Sequence, residues 1–272
     1  NEATDNIYNV LVSAGEIGSA SLDGITITDG YANDYSDIFV NGVQVFKCSG
    51  AGIYNSVSSP NYKNIVLQNN SCTESGGGMF SYKSSPKLNL VMLKNNQAKD
   101  GGGMTKQERS SPELLNVSIE SNQATESGSG MYNVDLSRPI LINVSIVGNE
   151  ASVNSEEVPS CVSENSSLTL NNCIIWDEIT GGYTAQNSLI KSNTDNSNGN
   201  IDATGLTAED VFADPASGDY TLLISGPAFN AGSNDLYTDA GGDLANDLDL
   251  AGNPRLYVGV PATDIIDMGA YE

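Results

Sequence analysis

The chain contains no histidine. That excludes Ser-His-Asp and Cys-His nucleophilic sites, histidine acid–base work and the ordinary histidine-bearing zinc sites. Cations are scarce as well: 11 Lys and Arg stand against 34 Asp and Glu, for a formal net charge of −23. Nucleic-acid backbones need a basic footprint, so no nucleic-acid partner is expected. Anionic lipid surfaces are disfavoured for the same reason. No apolar run approaches the roughly 20 residues of a membrane span, so no membrane insertion is expected. No secretory signal opens the chain, which reads as a mature chain or a piece of a longer one. None of the cysteines Cys48, Cys72, Cys161 and Cys173 forms a CxxC pair, which argues against zinc. Two readings of these thiols stay open. Cys72 and Cys173 fall in inward columns, where a free thiol is a small hydrophobe. In an oxidising compartment, Cys48–Cys72 and Cys161–Cys173 disulfides would join adjacent coils.

What the chain does have is a repeat. Between residues 50 and 151 one unit of about 26 residues is written four times, beginning at Gly50 (GAGIY), Gly76 (GGGMF), Gly101 (GGGMT) and Gly128 (GSGMY). Each unit runs through a Ser-rich or charged stretch to Pro60, Pro86, Pro112 or Pro139, then through a short apolar strand to Asn70, Asn96, Asn122 or Asn149. Five residues before each Asn stand Ile65, Val91, Val117 and Val144; three before it stand Leu67, Leu93, Ile119 and Ile146. Alternate strand residues share a face, so both columns point inward. Val66, Met92, Ser118 and Ser145 between them are expected to point out. Ile53, Met79, Met104 and Met131 form a second inward row, and Cys72, Ala98, Ala124 and Ala151 a small-residue column after the Asn. A unit this small cannot bury its apolar face alone; stacking buries a continuous column. The expectation is an all-β fold: a right-handed parallel β-helix of about 26-residue coils, five or six of them between residues 22 and 177, roughly 25–30 Å long.

Outside that core the pattern weakens. Residues 24–32 read as an earlier copy, with Ile25 and Ile27 in the aliphatic columns, Gly30 in the Asn column and Ala32 in the small column. An insertion at about 33–47 predicts a loop or hairpin on one face. Residues 172–178 (NCIIWDE) read as a later copy, its Gly-rich start decayed to Ser155–Ser160. The division is therefore 1–178, coils, and 179–272, an irregular β-rich section packing on or capping them. In the latter, 187–191 and 219–224 look like strands between turns rich in Gly, Asp, Asn and Pro. An open solenoid end needs a cap. None is evident before residue 7, so further coils or another domain are expected ahead of Asn1.

The units GGGMF…SSPKL…NN and GGGMT…SSPEL…SN, with the NNCIIW coil, resemble bacterial right-handed parallel β-helix repeat proteins of the pectate-lyase-like superfamily. The tail ending in GAYE is similar to the segment that closes many large surface proteins of Bacteroidetes-type bacteria, ahead of an anchor or sorting tail. The glycine-plus-Asn repeat is also similar to that of chlamydial polymorphic outer-membrane proteins. The resemblance implies a bacterial protein, secreted or attached to the cell surface, of adhesin-like or polysaccharide-active type.

The candidate sites follow from the columns. The Asn row (Asn70, Asn96, Asn122, Asn149) reads as a structural ladder of stacked amides, in residues that tolerate the left-handed turn conformation. The glycine triplets read as coil corners; no GK[ST] follows to make a phosphate loop. Tyr54, Phe80 and Tyr132 share an outward column and are glycan-contact candidates, because exposed rings stack on sugar faces. The competing reading is an aromatic ladder covered by the insertion or the tail. Asp243, Asp247 and Asp249 resemble an oxygen cluster for Ca2+, or else cap turns and pair with Arg255. Lys94 and Glu120 stand on adjacent coils as a surface ion pair. No catalytic residue is selected. The expected function is a non-catalytic extracellular or cell-surface module that contacts a polysaccharide or a host or cell-surface glycan. The alternative is a polysaccharide lyase or glycoside hydrolase with carboxylates gathered at the seam of coils and tail.

Overall fold

The computed structural model describes residues 7–18, 20–151, 159–256 and 264–272. The four repeat units fold as the period-two pattern dictates. Their long strands Asn61–Gln68, Lys87–Lys94, Glu113–Glu120 and Ile140–Val147 lie parallel and in register. Asn61 faces Lys87, Lys87 faces Glu113 and Glu113 faces Ile140. Both aliphatic columns are buried along their whole length. A second parallel stack holds Ile53–Ser56, Met79–Tyr82, Met104–Gln107 and Met131–Val134, with Leu11–Ala14 at one edge. Strand Cys161–Asn171 pairs with both stacks and joins them into one 16-stranded sheet that curls into a half-barrel. A separate five-stranded parallel sheet runs from Tyr31–Ala32 to Glu150–Ala151 and carries the small-residue column. The fold is thus all-β and dominated by parallel pairing.

Side-chain ladders hold the corners. Asn70 Oδ1 accepts the Gly30 amide at 3.0 Å, and Asn96 Oδ1 accepts both the backbone N–H and the Nδ2 of Asn70 at 3.0 Å. Asn122 serves Asn96, and Asn149 serves Asn122, in the same way. These links span 26, 26 and 27 residues. Each Nδ2 also donates to a strand carbonyl, as Asn96 does to Leu67 at 2.9 Å. The row then stops at a carboxylate: Asp177 accepts Gly148 N–H at 2.8 Å and both Asn149 donors at 2.9 Å. Glycine is obligatory above these amides. A Cβ on Gly78 would stand 2.6 Å from Gly103 O and 2.9 Å from Asn96 Nδ2. The expectation that the ladder residues themselves turn left-handed is corrected: the residue before each does so, namely Asn69, Asn95, Ser121 and Gly148. The ladder amides are thereby aimed inward.

The Ser-rich stretches form two further ladders. Ser58 N–H and Ser84 N–H donate to Ser84 Oγ and Ser110 Oγ at 3.0 Å. Beside them Ser85, Ser111 and Arg138 donate to Ser59, Ser85 and Ser111 Oγ at 2.9 Å. A fourth corner bends each long strand at Asn64, Leu90, Asn116 or Asn143, all at φ between 51° and 55°.

The end copies behave as edge coils. Ile27 is buried opposite Leu67, but Ile25 is 40% exposed, because no described strand covers it. Ile175 takes the slot opposite Ile146 as expected. Of the expected decayed start, residues 155–158 lie outside those described. Parallel pairing continues past residue 178. Ile179–Gln186 pairs with Cys161–Asn171, Leu189–Ile190 with Ile174–Ile175, and Ile201–Asp202 with Leu189–Ile190. The remaining tail lies along the side of the coils, so the outward column is corrected in its second half. Ser118 and Ser145 are buried beneath it, Ser145 Oγ accepting Ala270 N–H at 3.0 Å. Tyr237 of the short helix Asn234–Asp239 is fully buried, packed with Leu115, Ile142 and Ile266. Asn143 Nδ2 ties Asp267 O at 2.8 Å. All four cysteines are free and buried. Burial pushes the Cys161 and Cys173 thiols up to about 12.

Candidate functional site

The insertion at 33–47 contains an antiparallel hairpin, Asp37–Val40 with Val43–Phe46. Asn41 and Gly42 sit at the turn with φ of 51° and 76°, the conformation an Asn-Gly hairpin turn requires. Asn41 Nδ2 donates to Ala14 O at 3.0 Å, tying the turn to the coils, and Lys47 pairs with Asp34 at 2.6 Å across the base of the insertion. The Lys47 ammonium holds the Asp34 carboxyl down at about 2.

This hairpin lies over the aromatic column. Val45 is fully buried against Tyr54 and Phe80, whose ring centroids are 5.1 Å apart. The expectation that these rings stand exposed is therefore corrected: Tyr54 is 0% and Phe80 5% exposed. Burial of Val45 against the two rings helps seat the hairpin there, while Ile38, Phe39 and Phe46 on the same hairpin stay exposed. Tyr132 remains half-buried two strands along the same sheet, its hydroxyl donating to Glu164 at 3.0 Å.

Where the hairpin does not close on the sheet it leaves a cleft of about 490 Å3. Phe46, Phe80 and Tyr82 supply its rings, Glu74 and Glu108 its carboxylates, and Gln44 and Gln107 its amides. Tyr82 is half-buried, and Lys83 Nζ lies 4.9 Å from its ring centroid. Tyr35 donates to Glu74 at 3.1 Å. The structure thus brings Tyr54 and Phe80 together, sets Tyr132 apart, and adds Phe46 and Tyr82. The signal for Tyr82 was present: it stands two residues after Phe80 in a strand, on the same face. Phe46 depended on how the insertion folds, which no repeat encodes.

Beside the cleft runs a row of acids. Burial, with Glu126 and Glu74 nearby, holds the Asp100 carboxyl up at about 6 against the pull of Lys99. Lys99 pairs with Glu126 at 3.4 Å. Glu120 stands in register with Lys94, but tail packing buries it, and it accepts from Ser118 Oγ at 2.7 Å.

The tail aspartates do not fit a calcium ion. Asp243 accepts the Ala245 amide at 3.0 Å and Asn246 Nδ2 at 2.8 Å. Asp247 Oδ2 accepts Tyr237 Oη at 2.8 Å and Asp243 N–H at 2.7 Å. Asp249 is buried and accepts Asn253 N–H at 2.7 Å and Glu272 N–H at 2.8 Å. Oxygens occupied by amides in this way cap turns, and among the described residues no three His, Cys, Asp or Glu converge as a metal site. The expected partner of Arg255 is also corrected: its ion pair, at 3.6 Å, is with Glu272. Burial, together with Asp267 and Asp249, outweighs that cation and pushes Glu272 up to about 8.

No protein-family model, curated protein or solved structure matches the chain. Among the described residues no helix is long and apolar enough to cross a membrane.

Proposed function

We propose that the chain is a non-catalytic extracellular or cell-surface module, built as a right-handed parallel β-helix of about 26-residue coils and contacting glycans through the hairpin cleft. The regular register and corner ladders support the β-helix reading. The cleft carries the functional reading. Its rings offer apolar faces to sugar C–H surfaces, and its carboxylates and amides offer hydrogen bonds to hydroxyls. The test is a glycan-array screen followed by calorimetry on the purified chain, with Tyr82→Ala as the site variant. Binding without turnover, weakened at least about tenfold by Tyr82→Ala (about 1.4 kcal/mol), is the expected result. Binding unchanged by the substitution would move the contact away from the cleft.

A second reading, a polysaccharide lyase or glycoside hydrolase, is favoured by Asp100. A carboxyl held near 6 beside further acids has the poise of a general acid. New reducing ends or unsaturated uronate absorbance, abolished in Asp100→Asn, would establish it over the first.

A further inference from the structure

The walls of the cleft differ in sign from what most acidic polysaccharides would need. Glu74 and Glu108 line it, and the cation at its rim is Lys83, which interacts with Glu108. The whole chain carries −23, so a polyuronate approaches against a repulsive field. The rim already accommodates one cation, Lys83 Nζ, 4.9 Å from the Tyr82 ring centroid. A sugar that offers an apolar C–H face to Phe46 and an ammonium to the carboxylates uses both kinds of lining at once. A neutral sugar leaves the carboxylates with hydroxyl partners only; an acidic one places like charges together.

We infer that the cleft takes a hexosamine oligosaccharide with free 2-amino groups. The ammonium lies against Glu74 and Glu108 through charge-assisted hydrogen bonds, and the sugar rings pack on Phe46 and the open part of Tyr82. This inference rests on the glycan-contact reading above.

The experiment is calorimetric titration of the intact chain with glucosamine oligomers, with N-acetylglucosamine oligomers of the same length, and with galacturonate oligomers, at low and high salt. The amine form should bind at least about tenfold more tightly than the acetylated form, and salt should erase most of that margin. An acidic protein attracts any polycation, so two variants separate site from field. Glu74→Gln with Glu108→Gln should abolish the preference. Glu209→Gln with Asp235→Asn, which removes the same charge outside the cleft, should keep it. Equal affinity for the amine and acetylated forms, preference for the uronate, or loss of the preference in both double variants would overturn the inference while leaving glycan contact standing. Absence of binding to any oligomer or array glycan would remove the glycan reading itself.

Discussion

Lys106 points into the core from strand Met104–Gln107, is fully buried, and its Nζ has no hydrogen-bond partner. Its register partner Asn133 leaves its own Oδ1 unpaired, so the neighbouring amide does not relieve it. Burial drives the ammonium from 10.5 down to about 7; the one titratable group acting on it, the Cys161 thiol, is itself pushed up to about 12 and stays neutral. The sign follows from linkage. Between about 7 and 10.5 the unfolded chain holds the proton and the folded chain does not, so stability rises with pH across that window. Below it the penalty is complete. A shift of this size is worth roughly 5 kcal/mol at 1.36 kcal/mol per unit. Lys106→Met keeps most of the stem volume and removes the charge. It should stabilise the fold by about 4 kcal/mol near pH 7, and the gain should shrink towards zero by about pH 10.5. Urea unfolding followed by the fluorescence of Trp176, which packs edge-on against Phe212, measures both quantities. A gain that stays flat with pH, or a loss at pH 7, would refute the reasoning by showing the ammonium to be partnered.

Other substitutions probe the ladders and the tail. Asn96→Ala removes the acceptor for both donors of Asn70 and should cost about 3 kcal/mol, read as a lower urea midpoint. Gly78→Ala drives a Cβ to 2.6 Å from Gly103 O and should destabilise by more than about 2 kcal/mol in the same assay. Leu90 holds φ 55° in a column otherwise occupied by Asn, so Leu90→Asn should gain about 0.5–1 kcal/mol. Glu272 is raised from 4.5 to about 8, so its contribution is full at acid pH and is lost as pH rises through 8. Hydrogen-exchange protection of residues 264–272, corrected for intrinsic rate, should fall across that range, and Glu272→Gln should flatten the profile.

The parts of this fold legible in the sequence are those written more than once. Ile65, Val91, Val117 and Val144 recur at one spacing because each fills the same slot in one continuous core, and the register repeats that spacing. The Asn row was legible for the same reason, although its left-handed turn proved to lie one residue earlier. The serine ladders are equally repeated but not legible as ladders, since hydroxyls that accept from the next backbone N–H look no different in sequence from solvated ones. Asp177 was hidden because the ladder ends there. A terminal acceptor needs no amide donor, so a carboxylate replaces the Asn and breaks the very pattern that would reveal it.

The candidate site illustrates the complementary limit. A repeat specifies what every coil shares, and a binding cleft is what one coil has and the others lack. Here that asymmetry is the hairpin at 37–46, present once, which converts Tyr54 and Phe80 from surface rings into the floor beneath Val45. Its other edge leaves Phe46 and Tyr82 facing solvent-filled space. The tail acts likewise on the opposite side. It buries Ser118 and Ser145, which period two assigns outward, and leaves Val66 and Met92 half-buried in a cleft that they share with tail residues Leu248 and Leu250. Period two decides which way a side chain points, while a non-repeating segment decides whether it meets water. A unique segment that crosses a repeated face makes a surface that no repeat encodes, and the hairpin cleft is one such crossing, where rings and carboxylates line the same space.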